Sequence, residues 1–313
     1  MFKSDEVIAE VKLHDSVYAY FVGYDLDKKY RWKDLTNVII NVLPEFAYGF
    51  HTGTDTDNSK LITKVIDAAK SLYKIDGFLK VSQMIQKGQK GLDDEIEDKY
   101  LKRGEFGELI LHLLLRDRFN TIPLISKIYF KDSIGHTVHG FDCVHIEKES
   151  KTLWLGESKL YINPMRGLSA LIKDLDEHFN CKFLEDEFSL ISKKIHGIGE
   201  YSDQYDELIE DRNYWINLLN SSNYKNTLTK IKIPLICTYS SNIFQKYNDE
   251  EDSSFKEEYN NEINQLQDYF YKKLNHKWKD KLKIIPILFP VMDKNELVKK
   301  LHEKITYLQK LND

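Results

Sequence analysis

Two acids and a lysine, Asp142, Glu157 and Lys159, stand inside an otherwise apolar stretch, HGFDCVHIEKESKTLWLGESKLYIN, residues 139–163. Its pattern predicts two strands joined by a polar KESK turn, an antiparallel pair. Side chains two apart on a strand share a face and lie about 6.6 Å from each other. Glu157 and Lys159 therefore point one way and Ser158 the other, and the partner strand can bring Asp142 beside them. Converging carboxylates repel unless a cation lies between them, and hard oxygen donors completed by water suit Mg²⁺ or Mn²⁺. A bound metal lowers the pKa of a water and neutralises phosphate charge, while a neighbouring ammonium stabilises the oxyanion. The chemistry to which this set points is phosphodiester hydrolysis.

The tripeptide alone does not select the site. Glu10-Val11-Lys12, Glu97-Asp98-Lys99 and Glu149-Ser150-Lys151 also fit Glu-x-Lys. Context separates them, because Glu157 follows the apolar TLWLG and leads into a capped helix, whereas Glu149 falls in a polar turn and Glu97 in a charged segment. The competing reading of Glu157 and Lys159 is a solvated ion pair at a strand end, an interaction that contributes only about 0–1 kcal/mol.

These strands need elements to position them. Upstream, LKRGEFGELILHLLLRDRF predicts a helix with an apolar stripe of Leu101, Leu109, Ile110, Leu113 and Leu114 and an acidic edge of Glu105 and Glu108, close to His112. Glu108 is the better candidate for a third metal-binding carboxylate and Glu105 the alternative. After Pro123, LISKIYF reads as the first strand of a three-stranded meander, with Asp142 in the second and Glu157 near the end of the third. Asn163-Pro164 supplies an N-cap and a first-turn proline for MRGLSALIKDLDEHF, which should bury Leu168, Leu171, Ile172, Leu175 and Phe179 and turn Arg166, Ser169 and Lys173 outward. Arg166 and Lys173 are candidates for holding a substrate phosphate. IKIPLICTYS and LKIIPILFPV read as further strands, placed by their prolines at an edge or a strand end. A charged helix around FKEEYNNEINQLQDYFYKKL separates them. The first ninety residues read as a mixed α/β portion, with VYAYFVGYDL as a strand and LITKVIDAAKSLYKI as a helix. QKGQKGLDDEIEDKY reads as a linker to a second portion, residues 91–313.

Composition narrows the function classes. The chain has 313 residues, 42% apolar and 12% aromatic, enough for a substantial core. With 45 Lys+Arg against 50 Asp+Glu its net charge is −5, which argues against gripping nucleic acid by bulk charge. Three dispersed cysteines without CxxC suit a reducing cytosol and exclude a zinc ribbon. No stretch of eighteen apolar residues appears, so a cytoplasmic protein without membrane contact is expected. His136, His139, His145 and Cys143 raise a zinc reading, against which ordinary hydrogen-bonded histidines are the simpler account. Asp55 and Asp57 in TGTDTDN fit turn chemistry.

GFD followed after fourteen residues by ESK, with GEFGE upstream, resembles the PD-(D/E)xK, restriction-endonuclease-like nuclease superfamily. That resemblance implies an α-β-β-β-α-β core, a mixed sheet flanked by helices. LPEFAYGFH, RGEFGELILHLLL and LWLGESKLY are similar to the HamA family, nuclease subunits of the Hachiman anti-phage system, over most of the chain. By that likeness Asp142, Glu157 and Lys159 would be catalytic, with Glu108, Asp142 and Glu157 around Mg²⁺ or Mn²⁺. The substrate would be DNA and the partner the helicase subunit of the same system. Phe141 stands where the superfamily pattern has a proline. A nuclease-fold adaptor without catalysis, binding the helicase or nucleic acid, is the rival from another class, and a nuclease acting on RNA is a third reading.

Overall fold

The computed structural model describes residues 4–14, 17–49, 60–72, 104–124, 140–147, 149–198, 206–221 and 223–311. Its strands are β1 (Ile8–His14), β2 (Val17–Val22), β3 (Ile122–Pro123), β4 (Cys143–Glu147), β5 (Thr152–Tyr161), β6 (Ile231–Ser240) and β7 (Lys283–Val291). They form one mixed sheet in the order β1-β2-β7-β6-β5-β4-β3. The pairs β5–β6, β6–β7 and β2–β7 are parallel, and β1–β2, β4–β5 and β3–β4 are antiparallel. The principal helices are α1 (Trp32–Asn41), α2 (Leu43–Tyr48), α3 (Leu61–Leu72), α4 (Glu105–Phe119), α5 (Pro164–His178), α6 (Cys181–Ile198), α7 (Asp206–Leu219), α8 (Ser253–Lys273) and α9 (Lys294–Lys310). Among the described residues no helix is long and apolar enough to cross a membrane.

Helices cover both faces of β5. Ser158 lies against Gly107 of α4, whereas its neighbours Glu157 and Lys159 pair with His178 and Asp174 of α5. This double cover explains the near-continuous apolar run of β6, buried at Ile231 and from Ile233 to Tyr239. α4 is likewise buried from Leu109 to Leu115, so the expected stripe is an almost complete apolar girdle. It ends at Asn120 in the left-handed conformation, φ 50°, as helix C-termini commonly do. α5 begins as its residues dictate: the Asn163 side chain accepts a hydrogen bond from the backbone N–H of Arg166, and Pro164 fills the first turn.

Three expectations change. β6 and β7 lie inside the sheet rather than at an edge, because the ladder accommodates their prolines. Pairing of β5 with β6 skips from Trp154–Lys232 to Glu157–Leu235, sparing Pro234 a donor it lacks, and Gly156 leaves room for its ring. β7 meets β2 only at Ile287 and Leu288, clear of Pro286 and Pro290. Asp142 occupies a bend immediately before β4 rather than the strand itself. Only Ile122 and Pro123 form the described part of the first meander strand, pairing with Ile146 and His145. Most of LISKIYF, the segment with Asp55 and Asp57, His136, His139 and the boundary expected near residue 90 lie outside the described residues.

His112 belongs to the interior and not to an acidic edge. Its Nδ1 lies 3.0 Å from His145 Nε2, and His145 Nδ1 lies 2.8 Å from Thr121 Oγ1. Burial holds His145 down to about 3 and His112 well below the usual imidazole range, so both are neutral hydrogen-bonding residues.

Gly156 is the tightest point of this packing near the candidate site. An added Cβ would lie 2.5 Å from Cys143 Sγ, 2.9 Å from Leu111 Cδ2 and 3.0 Å from Pro234 Cγ. Gly156→Ala should destabilise the fold by about 1–3 kcal/mol through overpacking. Urea denaturation of the two proteins measures it, and equal midpoints would refute the packing argument.

Candidate active site

The register of β4 on β5 builds the site. Cys143 faces Gly156 in the ladder, so the next position along places Asp142 opposite Glu157, beyond the end of β4. The bend turns its carboxylate toward Ser158, whose backbone N–H and hydroxyl donate to Oδ2 at 2.7 and 2.8 Å. Within the described residues, both hydrogen bonds of Asp142 fall on that one oxygen. Ser158 does point to the face opposite Glu157, as strand alternation requires, and from there it anchors the aspartate.

Glu157 is only 2% exposed. Its Oε1 accepts a hydrogen bond from His178 Nδ1 at 2.6 Å. Burial pushes its carboxyl up to about 7; the His178 hydrogen bond opposes that rise and the Asp142 charge adds to it. His178 stacks on Phe183 at 4.4 Å between centroids and meets the Phe141 edge at 6.0 Å. Burial disfavours its charged form, but the bond to Glu157 and the charges of Glu157 and Asp174 leave its pKa raised. Lys159 is ion-paired with Asp174. Burial works against its ammonium too, and Asp174, Asp142 and Glu157 together hold it charged.

The expected residues divide into two groups. Asp142, Glu157 and Lys159 come together in one electrostatic cluster. Burial pushes the Cys143 thiol far up, and the charges of Asp142, Glu157 and Glu108 push it further; Glu108 itself is half-buried on α4. Glu105 is half-buried in the first turn of α4. Arg166 is exposed in the first turn of α5, and Lys173, exposed as well, pairs with Glu177 at 3.3 Å. Neither of these two bases joins the cluster.

Asp174, His178 and Glu187 are site residues that the sequence reading missed. Glu187, on α6, is buried, and its Oε2 has no hydrogen-bond partner among the described residues. A Cβ on Gly140 would lie 2.7 Å from that oxygen, which puts the carboxylate against the turn leading into Asp142. A signal for the pair on α5 was present: Asp174 and His178 are four apart, flanking the buried Leu171, Ile172 and Leu175.

The donor set suits a divalent cation. Two hard carboxylates, Glu157 buried and raised in pKa with the charge of Asp142 adding to that rise, form a site whose charge a cation would relieve. Among the described residues no group of three or more His, Cys, Asp or Glu side chains is placed to hold a metal ion, so the carboxylates present are a pair and not a complete ligand set. Here His178 and Ser158 occupy oxygens of the two acids.

A family model described as HamA matches residues 1–305. No curated protein and no solved structure matches the chain.

The raised pKa of Glu157 sets a pH dependence. At low pH folded and unfolded chains both hold the proton. From the ordinary value of 4.5 to about 7 only the unfolded chain releases it, so stability falls as pH rises across that window. The raised pKa of His178 acts in the same direction, its contribution being lost as pH rises through the folded value. In chelating buffer, Glu157→Gln should therefore be more stable than the unsubstituted chain at alkaline pH by about 1–3 kcal/mol, the difference closing toward acid pH. Urea melts at both ends of the range test this, and a pH-independent difference would contradict it.

Proposed function

The chain belongs to the HamA family, and on that premise we propose that it is a metal-dependent nuclease hydrolysing DNA phosphodiesters in Hachiman anti-phage defence. The observation that carries this reading is the convergence of Asp142, Glu157 and Lys159 where β4 meets β5. The chain order α4-β3-β4-β5-α5-α6-α7-β6 contains the α-β-β-β-α-β succession of a PD-(D/E)xK core with α6 and α7 interposed before β6, which supports the same assignment.

Asp142 and Glu157, with Glu108 as the third carboxylate, would hold Mg²⁺ or Mn²⁺. When bound, the ion supplies a water of lowered pKa and neutralises charge on the phosphate. The protein's own contributions follow from the geometry. Ser158 fixes Asp142 through Oδ2. Lys159, kept charged by its acidic neighbours, meets the negative charge that grows on the phosphoryl oxygens during attack. Arg166 and Lys173, exposed on α5 outside the cluster, would hold flanking phosphates.

Asp142→Ala and Glu157→Ala should abolish cleavage while retaining the fold, and calorimetric titration should show Mn²⁺ binding lost in both. Lys159→Ala should lower the cleavage rate by about 10²–10³-fold with little change in DNA affinity, since its interaction belongs mainly to the transition state. Rate and affinity falling together would assign Lys159 to substrate binding instead.

The net charge of −5 supports delivery of the substrate by another protein, because duplex affinity comes from Lys and Arg displacing counterions at several phosphates. GxxxxGK[ST] is absent from this sequence, which supports assigning an ATP-driven motor to a partner. The partner proposed is the helicase subunit of the same system, acting in the cytoplasm. The two proteins should co-elute at micromolar concentration, and ATP should change the cleavage rate of the pair. Separate elution together with an unchanged rate would refute the partnership.

A further inference from the structure

The contacts of α5 with β5 have a geometry of their own. Helix residues four apart rise about 6.0 Å along the axis, close to the roughly 6.6 Å between alternate residues of a strand. Because α5 begins the connection from β5 to the parallel β6, it runs back along the sheet, opposite in sense to β5. The two spacings then coincide in reverse order: the later helix residue, His178, meets the earlier strand residue, Glu157, and Asp174 meets Lys159. Each residue of the candidate pair thus has its own partner on one helix. His178 is itself fixed from the far side, stacked on Phe183 with the rings 12° from parallel.

We propose that Asp174 and His178 are positioning residues of this site: His178 holds Glu157 by one oxygen, leaving the other for the cation, and Asp174 holds the Lys159 ammonium at the same end of β5. The proposal rests on the nuclease reading and adds to it a helix-borne layer acting through Glu157 and Lys159. Outer groups of this kind orient the groups that touch metal or substrate, and their loss typically reduces metal affinity or activity by about 10–100-fold.

The test uses the full chain with Mn²⁺ as probe. His178→Phe preserves a ring against Phe183 and removes the donor; His178→Asn restores an N–H near the position of Nδ1. Calorimetric Mn²⁺ affinity should fall by about 10–100-fold in His178→Phe and recover most of that loss in His178→Asn. Circular dichroism melts establish that both variants fold. Asp174→Asn should leave Mn²⁺ affinity within about twofold while lowering kcat for DNA by about 10–100-fold, with DNA affinity unchanged. A parent chain that binds Mn²⁺ and cuts DNA, beside a His178→Phe variant that does both equally well, overturns the positioning role alone. Loss of Mn²⁺ affinity in His178→Phe with recovery in His178→Asn, in a chain that cuts no DNA either alone or with the helicase subunit and ATP, supports the His178 role and overturns the nuclease reading. A parent chain that binds no Mn²⁺ and cuts no DNA either alone or with the helicase subunit and ATP overturns both.

Discussion

Glu157 has its carboxylate removed from water on a strand covered by helices on both sides, and much of the local arrangement answers that constraint. An isolated buried carboxylate would take a proton rather than remain charged, and the rise of Glu157 to about 7 records that pressure. His178 supplies one hydrogen bond. Lys159 and Asp142 stand close enough for their charges to be felt there. An exposed pair such as Lys173–Glu177 contributes about 0–1 kcal/mol, whereas Glu157 is 2% exposed and bound to His178, and Lys159 is paired with Asp174. Glu157 and Lys159 are therefore not the solvated strand-end pair that is the simplest alternative for a Glu-x-Lys triplet.

The sheet places that constraint where chemistry can use it. β5 pairs in parallel with β6 on one side and antiparallel with β4 on the other. The parallel side requires a crossover, which begins with α5 and brings Asp174 and His178 over Glu157 and Lys159. The antiparallel side allows β4 to start beside the middle of β5, at Gly156, so that a residue just ahead of it, Asp142, reaches Ser158. A wholly parallel neighbourhood would lack the second acid, and a wholly antiparallel one would lack the covering helix.

Much of this was legible because local signals and tertiary packing agree. Asn163-Pro164 fixes the start of α5, and the spacing from Leu168 to Leu175 fixes its buried face. The apolar TLWLG ahead of Glu157 separates the relevant Glu-x-Lys from those in turns. The prolines of β6 and β7 misled, since a residue without an N–H argues against a central strand unless the ladder opens beside it. That opening depends on Gly156 of a different strand, and no local pattern around Pro234 reports it. His112 misled for a related reason. Its spacing from Glu108 marks a shared helix face, but its partner, His145, is supplied by tertiary pairing. Asp174 and His178 are visible as an i, i+4 pair, yet their meaning requires knowing that α5 runs opposite to β5.

The central residue of the ESK triplet shows how one strand serves both faces. Alternation sends Glu157 and Lys159 toward α5 and Ser158 toward α4, where Gly107 leaves space: a Cβ there would stand 3.2 Å from the serine hydroxyl. In that position Ser158 gives both its backbone N–H and its hydroxyl to Asp142. The aspartate, lying in a bend without the ladder of β4 to hold it, is oriented by a residue on the opposite side of the strand from the carboxylate it must approach. A larger side chain at 107 would press on Ser158, and an apolar residue at 158 would leave Asp142 with the backbone bond alone. The separation of the two acids is thus tied to packing between α4 and β5, so the precision of the candidate site depends on a close helix-to-strand approach as much as on the charged groups themselves.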